Sequence, residues 1–378
     1  MPVRPAPYTQ NDVESLPTGH ADNVAAEQRR ALLLMRTRQF AEAARVLSQL
    51  GQSRGGNPQG VLDAYLKGGS LHEARHSATN PEEVALPSLA EEFELAGVLA
   101  QNHAGDLAAI VLREAAGSFP DSARAHGEYG ELLSRRSEYD KAASELKRAV
   151  ELEPDSFPYS LALAEAWLSS KHNFTALKFL LSVRSRFESL PKYQYILALA
   201  YYDCYRYPEA IAEFETVARV EPQIDRVPFL VGNCYMALGE LEKAQEFYRK
   251  AIAMNVKDPA YQAALGKMLR MQGHIDEANQ VLEEELRLAP ADSESRYHLA
   301  LCYEAKGNFA EAQRLLEQVV SQKPGMLAAH VALARVYYHN AHKAEGDEEE
   351  KIVSRLRAHP EAQSAEPNTR PPQVAPQD

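Results

Sequence analysis

Residues 225–258 read DRVPFLVGNCYMALGELEKAQEFYRKAIAMNVKD, and the arrangement of small and large residues in this stretch repeats along the chain. Counting from Ala244 in steps of 34 residues meets an alanine every time. These eight alanines stand at positions 74, 108, 142, 176, 210, 244, 278 and 312. An unbroken period of this length is typical of a solenoid built from helical hairpins. Each period is numbered here from 1 to 34, with position 1 at residues 55, 89, 123, 157, 191, 225, 259 and 293.

Each period has the spacing of two amphipathic helices. In 225–258 the apolar positions 7, 8 and 11 are Val231, Gly232 and Tyr235, which form one stripe of an α-helix. A second stripe, at positions 17, 20, 24 and 27, consists of Leu241, Ala244, Tyr248 and Ala251. We therefore expect a first helix, A, and a second helix, B, in every period. The small residues at positions 8 and 20 allow the two helix axes to approach closely.

Glycines and prolines mark the ends of these helices. Gly239, Gly273 and Gly307 stand at position 15, where a turn between A and B requires a residue that tolerates positive φ. Position 32 is proline in five periods, which is expected to end helix B: Pro120, Pro154, Pro222, Pro290 and Pro324. Position 4 is polar or proline in most periods, so we expect the start of each helix A to pack loosely. The polar residues there include Glu92, His126, Gln194, Gln262 and Arg296.

This pattern resembles that of the tetratricopeptide-repeat family, most clearly in 225–258 and 293–326. The resemblance holds in strict register from residue 55 to residue 326. It also reaches upstream into 24–54 and downstream into 327–358. It implies an all-α fold, a right-handed α-solenoid of about ten helix pairs.

Composition divides the chain into three parts. Residues 1–22 and 359–378 are Pro-rich and lack periodicity, so we expect a disordered leader and a disordered tail. The solenoid is expected to occupy 23–358. Its irregular start, regular repeats and terminal capping hairpin are assigned to 23–88, 89–326 and 327–358. The acidic run at 347–350 is interpreted as the solvated start of the last helix.

Charge and cysteine content narrow the class of partner and compartment. The net charge of −12 argues against general affinity for nucleic acid or anionic lipid. Cys204, Cys234 and Cys302 form no C-x-x-C pair, so we expect free thiols, which favour a reducing compartment. No secretory h-region is visible, and no apolar run approaches the ~20 residues that span a bilayer. We therefore expect a cytoplasmic protein without direct membrane insertion, or a periplasmic or exported one if a leader was trimmed.

One motif suggests catalysis. His72-Glu73-Ala74-Arg75-His76 matches H-E-x-x-H, which on a helix places two imidazoles on one face for zinc, with the glutamate as general base. However, Ala74 is the repeat alanine of position 20, and Glu-Ala recurs at positions 19 and 20 in later periods. No nucleophile elbow, Walker A or dinucleotide-binding motif is present. We therefore expect no catalytic residue, metal or cofactor.

The face of helix A at positions 5, 9 and 12 is the candidate binding surface. If positions 7, 8 and 11 face the core, these positions share the adjacent face. In the family that face lines a concave groove in which peptides bind. The candidate groove residues are Tyr195, Tyr202, Phe229, Asn233, Lys267, Arg270, Tyr297, Arg335 and Tyr338. Aromatic rings beside three cations suit a segment with apolar anchors and acidic groups. Alternatively, the rings only cover helix seams and the cations form a solvated face.

Known specialisations within the family do not narrow the class of partner further. The chaperone-binding clamp needs lysine at position 5, which no period has, and the asparagine ladder at position 6 is absent, since that position reads, for example, Leu230, Ala264 and His298. The sequence therefore predicts a non-catalytic scaffold or adaptor whose groove holds a partner protein or peptide. The alternatives are a zinc hydrolase using His72, Glu73 and His76, and a structural subunit of a membrane-associated or secretion assembly.

Overall fold

The computed structural model describes residues 23–53, 56–66 and 87–359, and the regular secondary structure of this part is entirely α-helical. The helices belong to two compact units, residues 1–188 and 189–378. The described helices of the first unit are α1 (Asn23–Arg36), α2 (Phe40–Gln52), α3 (Pro58–Leu66), α4 (Leu89–Gln101), α5 (Gly105–Ser118), α6 (Ala123–Arg135), α7 (Tyr139–Leu152), α8 (Phe157–Ser169) and α9 (Asn173–Phe187). The leader 1–22, the tail from 360 onward and the HEARH motif lie outside the described residues.

The second unit consists of five successive hairpins. Its helices are α10 (Pro191–Asp203), α11 (Tyr207–Val220), α12 (Arg226–Leu238), α13 (Leu241–Met254), α14 (Pro259–Met271), α15 (Ile275–Leu288), α16 (Ser293–Ala305), α17 (Phe309–Gln322), α18 (Leu327–His339) and α19 (Lys343–Ala358). Even-numbered helices are the predicted helices A, and each packs on the odd-numbered helix B that follows. Each helix B before the last also contacts the next helix A, so the hairpins stack as an α-solenoid.

The repeat alanines form the contact between the helices of each hairpin. The seven that the structure describes, from Ala108 to Ala312, are 0% exposed, and Ala74 lies outside the described residues. Position 8 of the facing helix A leaves equally little room. A Cβ atom built on Gly130 would lie 2.6 Å from Cγ of Leu146 on α7. The predicted role of small residues in close helix approach is therefore confirmed.

The turn between helices A and B adopts a left-handed conformation at position 15. Gly239, Gly273 and Gly307 have φ angles of 78°, 83° and 76°. The same conformation occurs at non-glycine residues of other hairpins, among them Ser137 and Tyr205 with φ angles of 61° and 60°. A side chain at such a position costs conformational energy that glycine avoids. The prediction for the three glycines is confirmed, and the turn geometry proves independent of them.

The expectation of loose packing at position 4 is wrong. Gln262, Arg296 and His330 are only 4%, 8% and 4% exposed. Each bonds to the backbone carbonyl oxygen six residues earlier, in the turn that precedes its helix. Nε2 of Gln262 donates to Val256 across 3.2 Å. We call this contact the position-4 clasp; it joins the start of helix A to the turn between hairpins.

The last helix begins earlier than the sequence suggested. α19 starts at Lys343, so the acidic run at 347–350 lies inside the helix rather than at its start. Oε2 of Glu349 lies 2.5 Å from Nδ1 of His330, and this carboxylate is largely buried. Val353 and Leu356, on the apolar stripe of α19, are buried. The acidic run thus contributes to packing of the final hairpin as well as to its surface.

One core position carries a carboxyl group. Position 27 is valine at Val183, Val217, Val319 and Val353, but in α15 it is Glu285, which is 1% exposed. Neither carboxyl oxygen of Glu285 has a hydrogen-bond partner. Burial raises the pKa of Glu285 to about 7. This residue departs from the repeat pattern and weakens the seam between α15 and α16 when it is ionised.

Two further findings concern the cysteines and the helix lengths. Cys204, Cys234 and Cys302 are buried free thiols. Burial raises the pKa of Cys302 to about 11 and that of Cys234 to about 12, so these thiols stay protonated near neutral pH. In the described ranges, every helix is too short or too polar to pass through a lipid bilayer.

Candidate functional site

The candidate groove is a surface of the second unit formed by its helices A. α14 contacts α16 and α16 contacts α18, so these helices lie side by side. The nine predicted residues lie on α10, α12, α14, α16 and α18. Lys267, Arg335 and Tyr338 are exposed, and the other six are partly buried. The structure therefore places all of them on helices of one stack, where a partner can reach the exposed members.

The aromatic members pack against their own helices B as well as facing outward. The ring of Tyr195 meets Phe214 of α11 edge-on, with centroids 6.0 Å apart. Phe229 lies between Tyr248 of α13 and Tyr261 of α14, with centroid distances of 5.9 and 4.8 Å. These rings cover seams between helices, which was the alternative interpretation of the aromatic strip. Their partly exposed edges supply the apolar floor of the surface.

Two of the three predicted cations are neutralised by carboxylates of neighbouring hairpins. Nζ of Lys267 donates to Oε1 of Glu294 across 3.0 Å. Nη2 of Arg335 donates to Oε2 of Glu304 across 2.6 Å, and Nε of the same guanidinium donates to Oε1. Both ion pairs join successive helices A. Exposed pairs of this kind contribute little to stability but cancel the local positive charge.

The third cation has a different partner. Nε of Arg270 donates to Nδ1 of His298 across 3.2 Å. Burial lowers the pKa of His298 to about 4, with further contributions from Arg270 and Lys267. The imidazole is therefore neutral at physiological pH and accepts this bond without cancelling the charge. Within the described ranges, no carboxylate forms an ion pair with Arg270, so its positive charge remains available.

Two polar groups of the surface, on α12 and α18, are held by neighbouring side chains. The amide oxygen of Asn233 accepts a hydrogen bond of 2.8 Å from the hydroxyl of Tyr248. The hydroxyl of Tyr338 donates to Asp347 across 2.9 Å, and this bond raises the pKa of Tyr338 to about 12. These contacts fix the orientation of Asn233 and Tyr338 before any partner arrives.

A pocket extends the surface onto the last helix. It has a volume of about 590 Å³ and is lined by Arg335 and Tyr338 together with Val331, Val353 and Arg357, among others. Analysis of positions 5, 9 and 12 missed the contribution of α19, because that pattern considers helices A alone. The same analysis missed His298, whose position 6 was used only to exclude an asparagine ladder. Its spacing of 28 residues from Arg270, which the hydrogen bond spans, is the signal that pairs them.

The rival zinc site lies outside what the structure describes. His72, Glu73 and His76 belong to residues 67–86, which are not among the described ranges. Within those ranges, no group of three or more His, Cys, Asp and Glu side chains is arranged to hold a metal ion.

Hairpins stacked in this way are typical of a protein-interaction scaffold of the α-solenoid class. Family models described as tetratricopeptide repeat match residues 93–160 and, through three overlapping or adjoining segments, 205–268, 269–323 and 304–346. The chain belongs to the tetratricopeptide-repeat family.

Individual relatives match only parts of the chain. The TPR repeat-containing protein YpiA of Bacillus subtilis (strain 168) is 26% identical over 203 residues, 53% of this chain and 48% of that protein. Human Protein O-mannosyl-transferase TMTC1 is 30% identical over 107 residues, 28% of this chain and 12% of that protein. The chain thus spans less than half the length of these relatives. A solved tetratricopeptide repeat protein from Parabacteroides merdae ATCC 43184 is 18% identical with a TM-score of 0.49, covering 64% of this chain and 95% of that one.

Proposed function

We propose that this protein is a non-catalytic adaptor whose second unit binds an extended or helical peptide segment along its helices A. The observation that carries the proposal is the Arg270–His298 pair. Arg270 is oriented by a neutral acceptor and keeps its charge, whereas Lys267 and Arg335 are neutralised by Glu294 and Glu304. The surface therefore has one strong anchor for an anionic group. This anchor, Arg270, lies on α14, the third of the five helices A that form the surface.

The surroundings of this anchor favour a carboxylate flanked by apolar side chains. A guanidinium binds a carboxylate through charge-assisted, often bidentate hydrogen bonds. Phe229 and Tyr297 lie on α12 and α16, the helices A of the hairpins before and after that of α14, and provide partly buried aromatic surface. Interfaces of this kind concentrate binding energy in a few aromatic and arginine contacts. The expected partner segment therefore carries an Asp or Glu side chain with large apolar neighbours.

Selection from a displayed library of random dodecapeptides tests the proposal. We expect the selected peptides to be enriched in Asp or Glu beside large apolar residues. Arg270→Ala should weaken their binding roughly 10- to 100-fold, as for loss of a hot-spot residue. The matched control is Arg287→Ala, which removes an exposed arginine of helix B that pairs with Glu284. Equal loss of binding in both variants, or none with Arg270→Ala, Lys267→Ala and Tyr202→Ala combined, would mean that the groove assignment is wrong.

A further inference from the structure

Tyr205 occupies a turn where a large side chain is costly. It stands at position 15 between α10 and α11 with a φ of 60°, and it is 77% exposed. Gly239, Gly273 and Gly307 occupy the same turn in the next three hairpins. Neither burial nor backbone preference accounts for a tyrosine here. Other non-glycine residues adopt the same turn conformation, so it is the exposed aromatic ring of Tyr205 that directs attention to binding.

Tyr205 is the outer end of a series of three rings. Its ring meets Tyr207 edge-on at a centroid distance of 6.3 Å, and Tyr207 meets Tyr202 edge-on at 5.8 Å. We call these three residues the tyrosine ladder. Tyr202 lies on the helix-A face of the groove, so the ladder leads from that face over the turn to solvent. Each edge-to-face contact occupies one face of one ring, so other ring faces, which carry partial negative charge, remain for a partner.

Other aromatic residues of the chain show what covers such faces. Lys243 lies over Tyr235 with Nζ 5.0 Å from the ring centroid, and Lys250 lies 5.8 Å from that of Phe247. The guanidinium of Arg124 covers Phe93 in the same way, at 4.4 Å. In the part of the chain that the structure describes, no lysine or arginine lies over a ring of the ladder.

The nearby charges leave the ladder attractive to a cation. Arg206, between Tyr205 and Tyr207 in sequence, is already engaged, since it lies 4.9 Å over the ring of Tyr201 and pairs with Glu209. Burial is the main cause of the raised pKa of Tyr202. Asp203 is close enough to raise this pKa further, with smaller effect than Cys234 and Tyr207. Ring faces and this carboxylate together produce a negative potential at the turn.

We propose that Tyr202, Tyr205 and Tyr207 form a docking site for a lysine or arginine side chain of the partner segment. The partner's cation covers a ring face of the ladder in the way that Lys243 and Lys250 cover rings of the neighbouring hairpin. The inference rests on the proposed function in one respect, because Tyr202 belongs to both surfaces. The partner segment would then carry two charged residues. Its acidic residue binds Arg270, and its basic residue binds the tyrosine ladder where the segment leaves the groove over this turn.

A small-molecule titration tests the ladder directly. The full-length protein is labelled with ring-¹³C tyrosine and titrated, at 150 mM salt, with Nα-acetyl-lysine methylamide and with its uncharged norleucine analogue. We expect the lysine compound to shift the resonances of Tyr205 and Tyr207 with saturation. It should bind roughly two- to fivefold more tightly than the norleucine compound, as for an exposed cation–π contact. Tyr205→Gly should weaken lysine binding by a similar factor, and Tyr205→Phe should preserve it.

Several outcomes would overturn the proposal. Equal binding of the two compounds would identify an apolar patch, and absence of any saturable shift would show that the ladder binds neither. Loss of binding in Tyr205→Phe would assign the contact to the hydroxyl instead of the ring face. The variant Lys267→Ala/Arg270→Ala should leave the ladder shifts unchanged, so that failure of the groove and failure of the ladder are observed separately. Tyr205→Gly places at this turn the residue found in three other hairpins, so its fold is expected to persist.

Discussion

Nε2 of His330 lies 2.9 Å from the carbonyl oxygen of Pro324, while Nδ1 of the same imidazole lies 2.5 Å from Glu349. The side chain therefore joins three elements: the turn before α18, α18 itself and α19. His126 makes the equivalent pair of contacts with Pro120 and Glu145 in the first unit, at 3.2 and 2.7 Å. The position-4 clasp thus recurs along the chain, with histidine, glutamine or arginine as the side chain.

We expect the histidine form to make the last hairpin pH-dependent. Burial lowers the pKa of His330, but the hydrogen bonds to Glu349 and Pro324 outweigh it and raise the pKa overall. A raised pKa means that the added stability is fully present below the unfolded-state pKa, about 6.5, and is lost as pH rises through the folded-state value. Hydrogen exchange of α18 and α19 should therefore be slower at pH 5.5 than at pH 8.5, after correction for the intrinsic exchange rate.

Two variants separate charge from hydrogen bonding at this position. His330→Gln reproduces the Gln262 clasp, so it should abolish this contribution to the pH dependence while keeping stability at pH 8.5 near that of the parent. His330→Ala leaves the carbonyl and Glu349 without their partner and should cost roughly 1–3 kcal/mol at pH 5.5. If His330→Gln keeps the full pH dependence, then a group other than this imidazole is responsible.

A second prediction concerns the protonation of His298. Its pKa of about 4 means that its imidazole resonances should not shift between pH 5.5 and 8 in an NMR titration. Arg270→Gln removes a nearby positive charge, so the pKa of His298 should rise. Lys267→Gln should raise it by less, because Lys267 contributes less to the shift. Titration of His298 near pH 6.5 in the parent protein would show that burial and Arg270 do not lower its pKa, and the environment assigned to Arg270 would be wrong.

The comparison of Ala244 with Arg270 shows how far the sequence predicts this molecule. Ala244 is predictable because every hairpin places the same two helices at the same distance, and only a small side chain fits between them. The charge state around Arg270 is not predictable from the repeat, because it depends on which side chains of the next hairpin reach the guanidinium. Glu294 reaches Lys267, and the neutral His298 reaches Arg270. Repeat position predicts the face on which a residue lies, but its polar partner depends on side-chain reach across the stack.

A third prediction tests the close approach at position 8. Gly130→Ala would place a Cβ atom 2.6 Å from Cγ of Leu146 and should lower the free energy of unfolding by ~1–3 kcal/mol. Gly97, on α4 of the same unit, has no atom within 4 Å of the equivalent Cβ. Gly97→Ala should therefore raise stability by ~0.5–1 kcal/mol, since alanine favours a helix over glycine. Urea unfolding of both variants measures the difference, and changes of the same sign would contradict the packing argument.

The fourth prediction concerns Glu285, the buried carboxyl at the seam between α15 and α16. Its pKa is about 7 in the folded protein, against the ordinary glutamate value of 4.5, so the fold favours the neutral acid. The resulting destabilisation is absent well below pH 4.5, grows between 4.5 and 7, and is constant above 7. Glu285→Val introduces the residue of four other hairpins and should raise the free energy of unfolding by roughly 1–3 kcal/mol at pH 8.

The pH dependence of that gain distinguishes charge from packing. The Glu285→Val advantage should shrink between pH 8 and pH 4.5, because protonation removes the buried charge from the parent protein as well. Glu284→Val, one residue earlier on the exposed face and paired with Arg287, should change stability by less than ~0.5 kcal/mol at either pH. Urea unfolding at the two pH values provides the measurement. A gain that is the same at both would show that added apolar packing stabilises the variant and that Glu285 carries no charge in the parent at pH 8.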